Sequence, residues 1–296
     1  KCNGNQHWSA IMRDERIAHL TGVTPSDKPE DLYQHVADDT TDHCLRLKDD
    51  NSWYKRFMDH WKNEIKRKVT KRSTMCEAYG LTFYGIQRYL KEEGHLDWVP
   101  SEERNAAIVE MARAIKSSLD RTLEEPNKGK GFLKAVTEKA NEVNRHLFWV
   151  TPSGFKVVHY YNKQQKRRSL ATLFNKRELT FYVRTDDVNP REASQAISPN
   201  FIHSLDAAHM FLTIHCLIQA GVFSLSMVHD SYGCRPNDVK HMQDALRKMF
   251  LKIHEVNQLQ VFKRQIENQL GVQLPDVPDT GNMDIRGVLD SSYFFA

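Results

Sequence analysis

The sequence predicts a mostly helical α+β protein. Apolar residues recur at helical spacing through the first half of the chain and again in the last third, and an aromatic, β-branched segment separates the two. With 296 residues and a hydrophobic fraction of 40%, the chain can bury a sizeable core. We therefore expect a soluble globular protein in which helices surround a few short strands.

Long helices are predicted in the first half. One runs from about residue 53 to the Tyr79–Gly80 pair, where glycine breaks the helical pattern. Residues 101–148 predict two more, which begin at Ser101 and near Gly131 and are separated by a turn at 126–129.

The middle of the chain predicts β-structure. A Pro-Ser-Gly turn at 152–154 precedes an aromatic and β-branched run at 155–161, and a similar run follows at 179–183. The two runs predict a long β-hairpin whose connection carries a basic cluster. The members of this cluster are Lys163, Lys166, Arg167, Arg168, Lys176 and Arg177.

The last third returns to helical spacing over residues 199–220, which a short apolar strand follows at 223–228. That strand leads directly into His229 and Asp230, and an amphipathic helix is predicted beyond them. Residues 292–296 are too apolar for a solvated tail, so we expect them to dock against the protein.

Charge and cysteine usage limit the functional classes. The net charge of +4 permits nucleic-acid binding without requiring it, and each basic cluster is also compatible with a solvated surface. Five widely spaced cysteines without a Cys-x-x-Cys pair indicate a reducing compartment. The chain has no run of 18 apolar residues, so we expect no membrane partner.

The sharpest chemical signal lies between residues 66 and 85. Four residues recur at every fourth position and therefore climb one face of a helix, namely Arg67, Lys71, Met75 and Tyr79. Two cations one turn apart suit a triphosphate, while a thioether and an aromatic ring suit a base and a sugar. The alternative is a cationic amphipathic helix that packs its thioether and ring into a core.

Two further segments carry candidate polar groups. Asp230 follows an apolar strand, where a metal-binding carboxylate can be held rigidly at a surface, although a turn-forming aspartate is the simpler explanation. On the helix after Pro199, the side chains of His203, Asp206 and His209 spread over more than a third of the circumference. This spread disfavours a zinc site and favours hydrogen bonding to polar neighbours.

Taken together and in this order, four segments resemble the single-subunit DNA-directed RNA polymerases of phages and mitochondria. They read TKRSTMCEAYG from residue 70, WVTPSGF from 149, PNFIHSLDAAHM from 199 and VHDSYG from 228. The resemblance spans essentially the whole chain, and it implies the carboxy-terminal catalytic portion of such an enzyme. The implied fold is the palm-and-fingers part of a right-hand polymerase, with a small antiparallel palm sheet and a long β-hairpin.

The resemblance also implies boundaries. A partial palm would occupy residues 1–26, the fingers 27–148, and a palm strand with a promoter-reading hairpin 149–198. The remaining palm, with a metal-aspartate motif and the docking segment, would occupy 199–296.

The fingers helix carries the substrate-binding residues that the resemblance implies. Arg67 and Lys71 match the cations that grip the incoming triphosphate, and Tyr79 matches the residue beside the ribose and base. A tyrosine hydroxyl near the sugar favours ribonucleotides, because a 2′-hydroxyl completes a network that a deoxy sugar leaves unpaired. Gly80 lets the backbone pass close to the templating base, and Tyr84 fills an aromatic position.

The palm supplies the implied catalytic groups. Asp230 matches the aspartate that binds both catalytic Mg²⁺ ions, and Lys71 and His229 join it as catalytic residues, with His229 at the growing RNA end. His203 would touch the newest base pair from its minor-groove side. The hairpin would read the promoter through basic residues, of which we single out Lys163, Lys166, Arg167 and Arg168.

One departure from the family pattern concerns the metals. The family carries another metal-binding aspartate two residues before the position of Lys1, and two-metal phosphoryl transfer needs carboxylates that span both ions. We therefore expect residues 1–296 by themselves to have little or no polymerase activity.

The implied function is the synthesis of RNA from nucleoside triphosphates on a DNA template, by a monomer that binds promoter DNA and holds the RNA product. Two alternatives stay open: a related DNA polymerase, or a non-catalytic remnant that binds nucleic acid. Ser231 and Met75 stand where the DNA enzymes carry a glutamate and usually an aromatic residue, which favours RNA synthesis. The expected location is the cytoplasm of a phage host or, alternatively, the mitochondrial matrix.

One spatial expectation underlies these assignments. The cationic face of the long helix and Asp230 should face each other across a cleft of nucleotide size.

Overall fold

Helices dominate the computed structural model, which describes residues 3–171 and 177–295. The helices are α1 (Asn3–Met12), α2 (Glu15–Leu20), α3 (Leu32–Leu47), α4 (Ser52–His60), α5 (Arg67–Glu77), α6 (Phe83–Glu92), α7 (Ser101–Thr122), α8 (Glu124–Glu142), α9 (Pro190–Gln219), α10 (Val239–His254) and α11 (Gln258–Leu270). The strands are β1 (Leu147–Val150), β2 (Lys156–His159), β3 (Asn162–Ala171), β4 (Arg177–Val188), β5 (Leu225–Val228) and β6 (Ser231–Cys234). They form three antiparallel pairs, β1–β2, β3–β4 and β5–β6, so the predicted α+β class is confirmed.

Three clusters of buried side chains hold these elements together. The first joins the five helices from α3 through α7 and contains the fully buried ring of Phe57. The second joins α1, α8, α9, α11 and β1 around Trp8 and Trp149, and the third joins α9, α10 and the chain end around Phe250 and Phe294. Helix α8 belongs to the second cluster, whereas most of the predicted fingers segment, residues 27–148, packs in the first. The proposed domain boundaries stay a prediction.

The prediction of a single helix from residue 53 to Gly80 is wrong. It is two helices, α4 and α5, and the chain between them bends at Lys62 and Asn63, which have φ angles of 53° and 61°. The backbone N–H of Asn63 donates to the carbonyl of Met58 at 2.8 Å and closes the end of α4. Neither glycine nor proline stands at this bend, so composition gave no signal for it.

The predicted turn at 126–129 is also wrong. Only Leu123 separates α7 from α8, and Pro126 lies in the first turn of α8, where its missing N–H is not needed. Gly129 lies in the next turn and faces α1, where a Cβ atom would collide with the ring of Trp8. Glycine therefore allows α8 and α1 to pack closely.

The β-rich middle pairs differently from the prediction. The run at 155–161 contributes β2, which pairs with β1 so that Phe148 faces Val158, and the turn at 152–154 joins these two strands. The run at 179–183 belongs to β4, which pairs with β3 and sets Arg167 opposite Phe181. Most of the basic cluster consequently lies along β3 and not in a connection, and Lys176 lies outside the described residues.

The docking of the chain end is confirmed. Phe294 is 3% exposed, and the Ser291 hydroxyl donates to the carbonyl of Gly22 at 2.6 Å. Helix α9 starts at Pro190, nine residues before the predicted start at 199, because Asn189 caps it. By length and composition alone α9 could cross a membrane, but half of its apolar stretch is buried, and it packs against α1, α8 and α10 like the core helix of a globular protein.

A buried pair of histidines lies where α1 meets α10. The Nδ1 atom of His7 is 2.9 Å from the Nε2 atom of His254, and both side chains are buried. Burial and then the neighbouring His209 and His203 lower the pKa of His7 well below 6.5. Burial, followed by His7, Arg13 and His209, lowers the pKa of His254 in the same way.

The chain should therefore lose stability as the pH falls below about 6.5. Both folded pKa values lie below the unfolded ones, so the stabilisation is complete above the unfolded pKa and is lost as the pH falls towards the folded pKa. Each histidine contributes at most about 1.4 kcal/mol per pH unit to this slope. Urea unfolding of the wild type and of His254→Asn between about pH 7.5 and pH 5 measures it. The variant should show the shallower dependence, and equal slopes would contradict the assignment to this pair.

Candidate functional site

Helix α5 presents the predicted nucleotide face to solvent. Its opposite side is buried and consists of Val69, Thr70, Ser73, Thr74 and Glu77. Lys71 is exposed, and Met75 is 42% exposed. The alternative in which the thioether packs into a core is therefore wrong for Met75.

Arg67 lies beside a cavity of about 200 Å³ between α3, α5 and the chain end. Its Nε atom donates to the Oδ2 atom of Asp31 at 2.5 Å, and its guanidinium lies 5.0 Å from the ring centroid of Tyr33. Asp31 also caps α3 by accepting hydrogen bonds from two backbone amides. Sequence reasoning missed Asp31, although an acid directly before an amphipathic helix is a capping signal. The cavity wall includes Phe295.

Tyr79 lies two residues beyond the end of α5 and reaches α9. Its ring stacks on the ring of His203 in α9, with centroids 4.4 Å apart and planes 8° from parallel. The indole N–H of Trp8, in α1, donates to the carbonyl of Ala78 at 2.8 Å and so holds the turn against α1. Gly80 completes the turn with a φ of +83°, a conformation that favours glycine.

Helix α1 approaches this turn so closely that one position requires glycine. A Cβ atom on Gly4 would lie 2.8 Å from the Cβ atom of Ala78 and 3.0 Å from the hydroxyl oxygen of Tyr79. Since Cβ atoms essentially never approach this closely, a larger residue would displace the Tyr79 ring.

The strand pair β5–β6 carries Asp230 at its turn. Val228 pairs with Ser231, so His229 and Asp230 are the two turn residues, and the predicted apolar strand before them is confirmed. His229 is exposed and has a φ of 49°, in the left-handed region, whereas Asp230 is half-buried. Partial burial and then the nearby His229 lower the pKa of His203. Tyr79, His203 and the Asp230 turn therefore lie in one neighbourhood.

Asp206 and Asp230 both act on the side chain of Tyr232. Asp206, one helical turn after His203 in α9, is 8% exposed. Burial raises the pKa of Tyr232 above its ordinary value, and the charges of Asp206 and Asp230 add to this effect. The ring of Tyr232 also lies 5.4 Å from that of Phe295, so the docked chain end contacts β6 and also lines the Arg67 cavity.

Asp230 fits one part of a magnesium site. Mg²⁺ usually takes one or two carboxylates and completes its coordination with water and substrate phosphate oxygens. Within residues 3–171 and 177–295, no group of three or more His, Cys, Asp or Glu side chains is arranged to hold a metal by itself. The Nε2 atom of His209 lies 2.9 Å from the carbonyl of Leu246, and His203 stacks on Tyr79, so these two imidazoles have separate partners.

The remaining predicted residues are exposed to solvent. The basic residues on β3 are exposed, and next to them on β4 Phe181 and Tyr182 are 48% and 64% exposed. Tyr84, at the start of α6, is 73% exposed, and its assignment to the site stays a prediction.

Gly4→Ala should destabilise the chain by about 1–3 kcal/mol, because the new methyl group overlaps the turn that holds Tyr79. Gly131→Ala is the matched control: Gly131 lies inside α8, and a Cβ there would meet nothing within 4 Å. The control should be stabilised by about 0.5–1 kcal/mol. Denaturant unfolding of the two variants measures the difference, and equal stabilities would show that the close approach is not rigid.

Comparison with known proteins identifies the family. The family model for DNA-dependent RNA polymerase matches residues 1–273. The mitochondrial DNA-directed RNA polymerase 1 of Nicotiana sylvestris is 31% identical over 308 residues, which cover 99% of this chain and 30% of that protein. The corresponding mitochondrial enzyme of Arabidopsis thaliana is 30% identical with the same coverage. DNA-directed RNA polymerase 2A of Nicotiana tabacum is 30% identical over 99% of this chain and 89% of its own length.

The chain thus spans about 30% of the length of the two mitochondrial relatives. The family model covers far more than half of the chain, and the similarity to polymerase 2A extends over most of both sequences. The matched region includes α5, α9 and the Asp230 turn. The chain belongs to the family of single-subunit DNA-dependent RNA polymerases.

Proposed function

We propose that this chain forms the catalytic part of an enzyme that synthesises RNA from nucleoside triphosphates on a DNA template. One observation supports this above the others: the ring of Tyr79 stacks on His203, next to the turn that carries His229 and Asp230. Residues far apart in sequence, each assigned by resemblance to the substrate or the metals, are thereby neighbours.

In this proposal the outer face of α5 binds the substrate. Arg67 and Lys71 neutralise the triphosphate, and Met75 lies further along the same face for the base. The Tyr79 hydroxyl recognises the ribose, and Gly80 lets the protein backbone pass close to the templating base. The stacked ring of His203 gives the sugar site a rigid wall, because two packed rings lose little further freedom when a nucleotide binds.

Asp230 would hold Mg²⁺, which when bound activates the 3′-hydroxyl of the RNA and stabilises the charge on the leaving pyrophosphate. Lys71 supplies a positive charge to the phosphoryl group as negative charge develops there. His229 orients the end of the RNA.

The relatives bear on the alternatives. Their names describe DNA-directed RNA polymerases, which favours RNA synthesis over a DNA polymerase. Two of the three are named as mitochondrial, so we propose the mitochondrial matrix, in preference to the cytoplasm of a phage host, as the site of action. That the enzyme acts as a monomer without a membrane partner also remains part of the proposal.

Asp230→Asn should abolish RNA synthesis by the full-length gene product without unfolding it, since the amide keeps the shape of the turn but loses the charge that holds the metal. Asp244→Asn, the same change on the exposed side of α10, should leave synthesis intact. Promoter-independent primer extension measures activity, and circular dichroism confirms the fold. Unchanged activity of the Asp230 variant would refute the metal assignment, and a silent wild type would refute the proposed function.

We further propose that the β3–β4 hairpin contacts promoter DNA. Its exposed cations stand beside exposed aromatic rings, a combination suited to phosphates and to unstacked bases. The residues that support this proposal are Lys163, Lys166 and Arg167 on β3 and Phe181 and Tyr182 on β4.

Changing Lys163, Lys166 and Arg167 together to Gln should weaken DNA binding and flatten its salt dependence. The log–log slope should fall by about 0.9 for each phosphate that the hairpin no longer neutralises. The control changes three exposed lysines of α8 to Gln, at positions 128, 134 and 139. Fluorescence anisotropy with duplex DNA over a range of salt concentrations gives both slopes. The hairpin assignment fails if the slope decreases equally in the two triple variants.

A further inference from the structure

A buried ion pair lies directly behind the nucleotide face. Glu77, the last residue of α5, points away from that face, and its side chain is 3% exposed. Its Oε1 atom lies 2.8 Å from the Nζ atom of Lys130 in α8 and 3.6 Å from that of Lys116 in α7. Lys116 also pairs with Asp120 at 2.7 Å. Three helices therefore meet at one carboxylate.

Lys130 makes a second contact that reaches the backbone. Its Nζ atom donates to the main-chain carbonyl of Glu77 at 2.8 Å as well as to the carboxylate. The final carbonyls of a helix have no partner within the helix, so a buried cation at this end satisfies one of them directly. The next carbonyl, that of Ala78, accepts the indole N–H of Trp8. The two peptides that precede Tyr79 are thus each held by a side chain from another helix, Lys130 in α8 and Trp8 in α1.

Stability alone does not account for this arrangement. Burial lowers the pKa of Lys130, and the charge of Glu77 only partly opposes that effect. Apolar residues of similar volume usually replace a buried ion pair without loss of stability, whereas removal of one partner leaves a costly buried charge. What apolar residues cannot supply is the directed bond from a cation to the carbonyl at the end of α5.

We propose that Glu77 and Lys130 are positioning residues for sugar selection: together they hold the Tyr79–Gly80 turn so that the Tyr79 hydroxyl meets the ribose of the incoming nucleotide. The inference rests on the proposed function for its consequence in catalysis. The local consequence, a rigid turn, does not depend on that function.

The local consequence is measured on the 296-residue chain by amide hydrogen exchange. The amides of Tyr79 and Gly80 donate to the carbonyls of Cys76 and Glu77, both at 3.0 Å, so their exchange reports the opening of the turn. Lys130→Met should accelerate exchange at these two amides by about tenfold or more, because a bond from a charged donor is removed. The matched control, Lys128→Met, removes an exposed lysine two residues away and should change nothing there.

A second variant separates positioning from folding. Glu77→Leu combined with Lys130→Met removes both charges, so it should recover most of the thermal stability that Lys130→Met loses. Exchange at Tyr79 and Gly80 should nevertheless stay fast, since the cation that held the carbonyl is still absent. Slow exchange in this double variant would show that packing, and not the ion pair, holds the turn, and would overturn the proposal.

The catalytic consequence is measured on the full-length gene product as the ratio of kcat/KM for ribonucleotides to that for deoxyribonucleotides. Tyr79→Phe sets the reference, because the loss of its hydroxyl should lower this ratio. The stable double variant should lose on the order of tenfold in the same ratio through misplacement of the hydroxyl. An unchanged ratio in that variant would overturn the assignment to sugar selection.

The two failures are distinguishable. A wild-type gene product that makes no RNA refutes the proposed function, and with it the role in sugar selection, while the exchange result still decides whether the pair holds the turn. Normal RNA synthesis with unaltered discrimination and exchange in the Lys130 variants refutes the positioning role alone.

Discussion

The site depends on how closely α1 approaches the end of α5. Gly4 leaves no space for a side chain beneath Tyr79, and Trp8 reaches the carbonyl of Ala78 from the same helix. The other faces of α1 pack against α8 and α9, and its His7 joins α10. The short helix α1 therefore sets the position of the Tyr79 ring relative to His203. A shift in α1 would move the Tyr79 ring relative to α9, because α1 packs against both.

The chemistry of single elements could be predicted from the sequence, because helical spacing and strand alternation are local properties. The four-residue spacing that begins at Arg67 correctly predicted a helix, although it left open whether that face is exposed or packed. The apolar run before His229 correctly predicted a strand that ends in a turn. The docked chain end was also predictable, because aromatic residues at a terminus require cover.

Contacts between distant segments could not be predicted in this way. Nothing in the spacing links Glu77 to Lys130, which are 53 positions apart, or Arg67 to Asp31. A long β-hairpin is present, but its predicted pairing was wrong for a related reason: the runs at 155–161 and 179–183 both suit strands, yet each pairs with a strand nearer in sequence, β1 and β3 respectively. Short loops between neighbouring strands lose less entropy on closure than long ones, and periodicity does not contain that preference.

The left-handed backbone of His229 limits which residues suit the turn between β5 and β6. A non-glycine residue in this conformation carries a cost of roughly 1 kcal/mol, which glycine would avoid. Glycine would, however, give the adjoining peptide many more accessible conformations and so loosen the direction in which Asp230 points. Glycine at position 229 would thus relieve the backbone strain but would let the Asp230 carboxylate point in more directions. The strained histidine keeps that carboxylate within a narrow range of orientations.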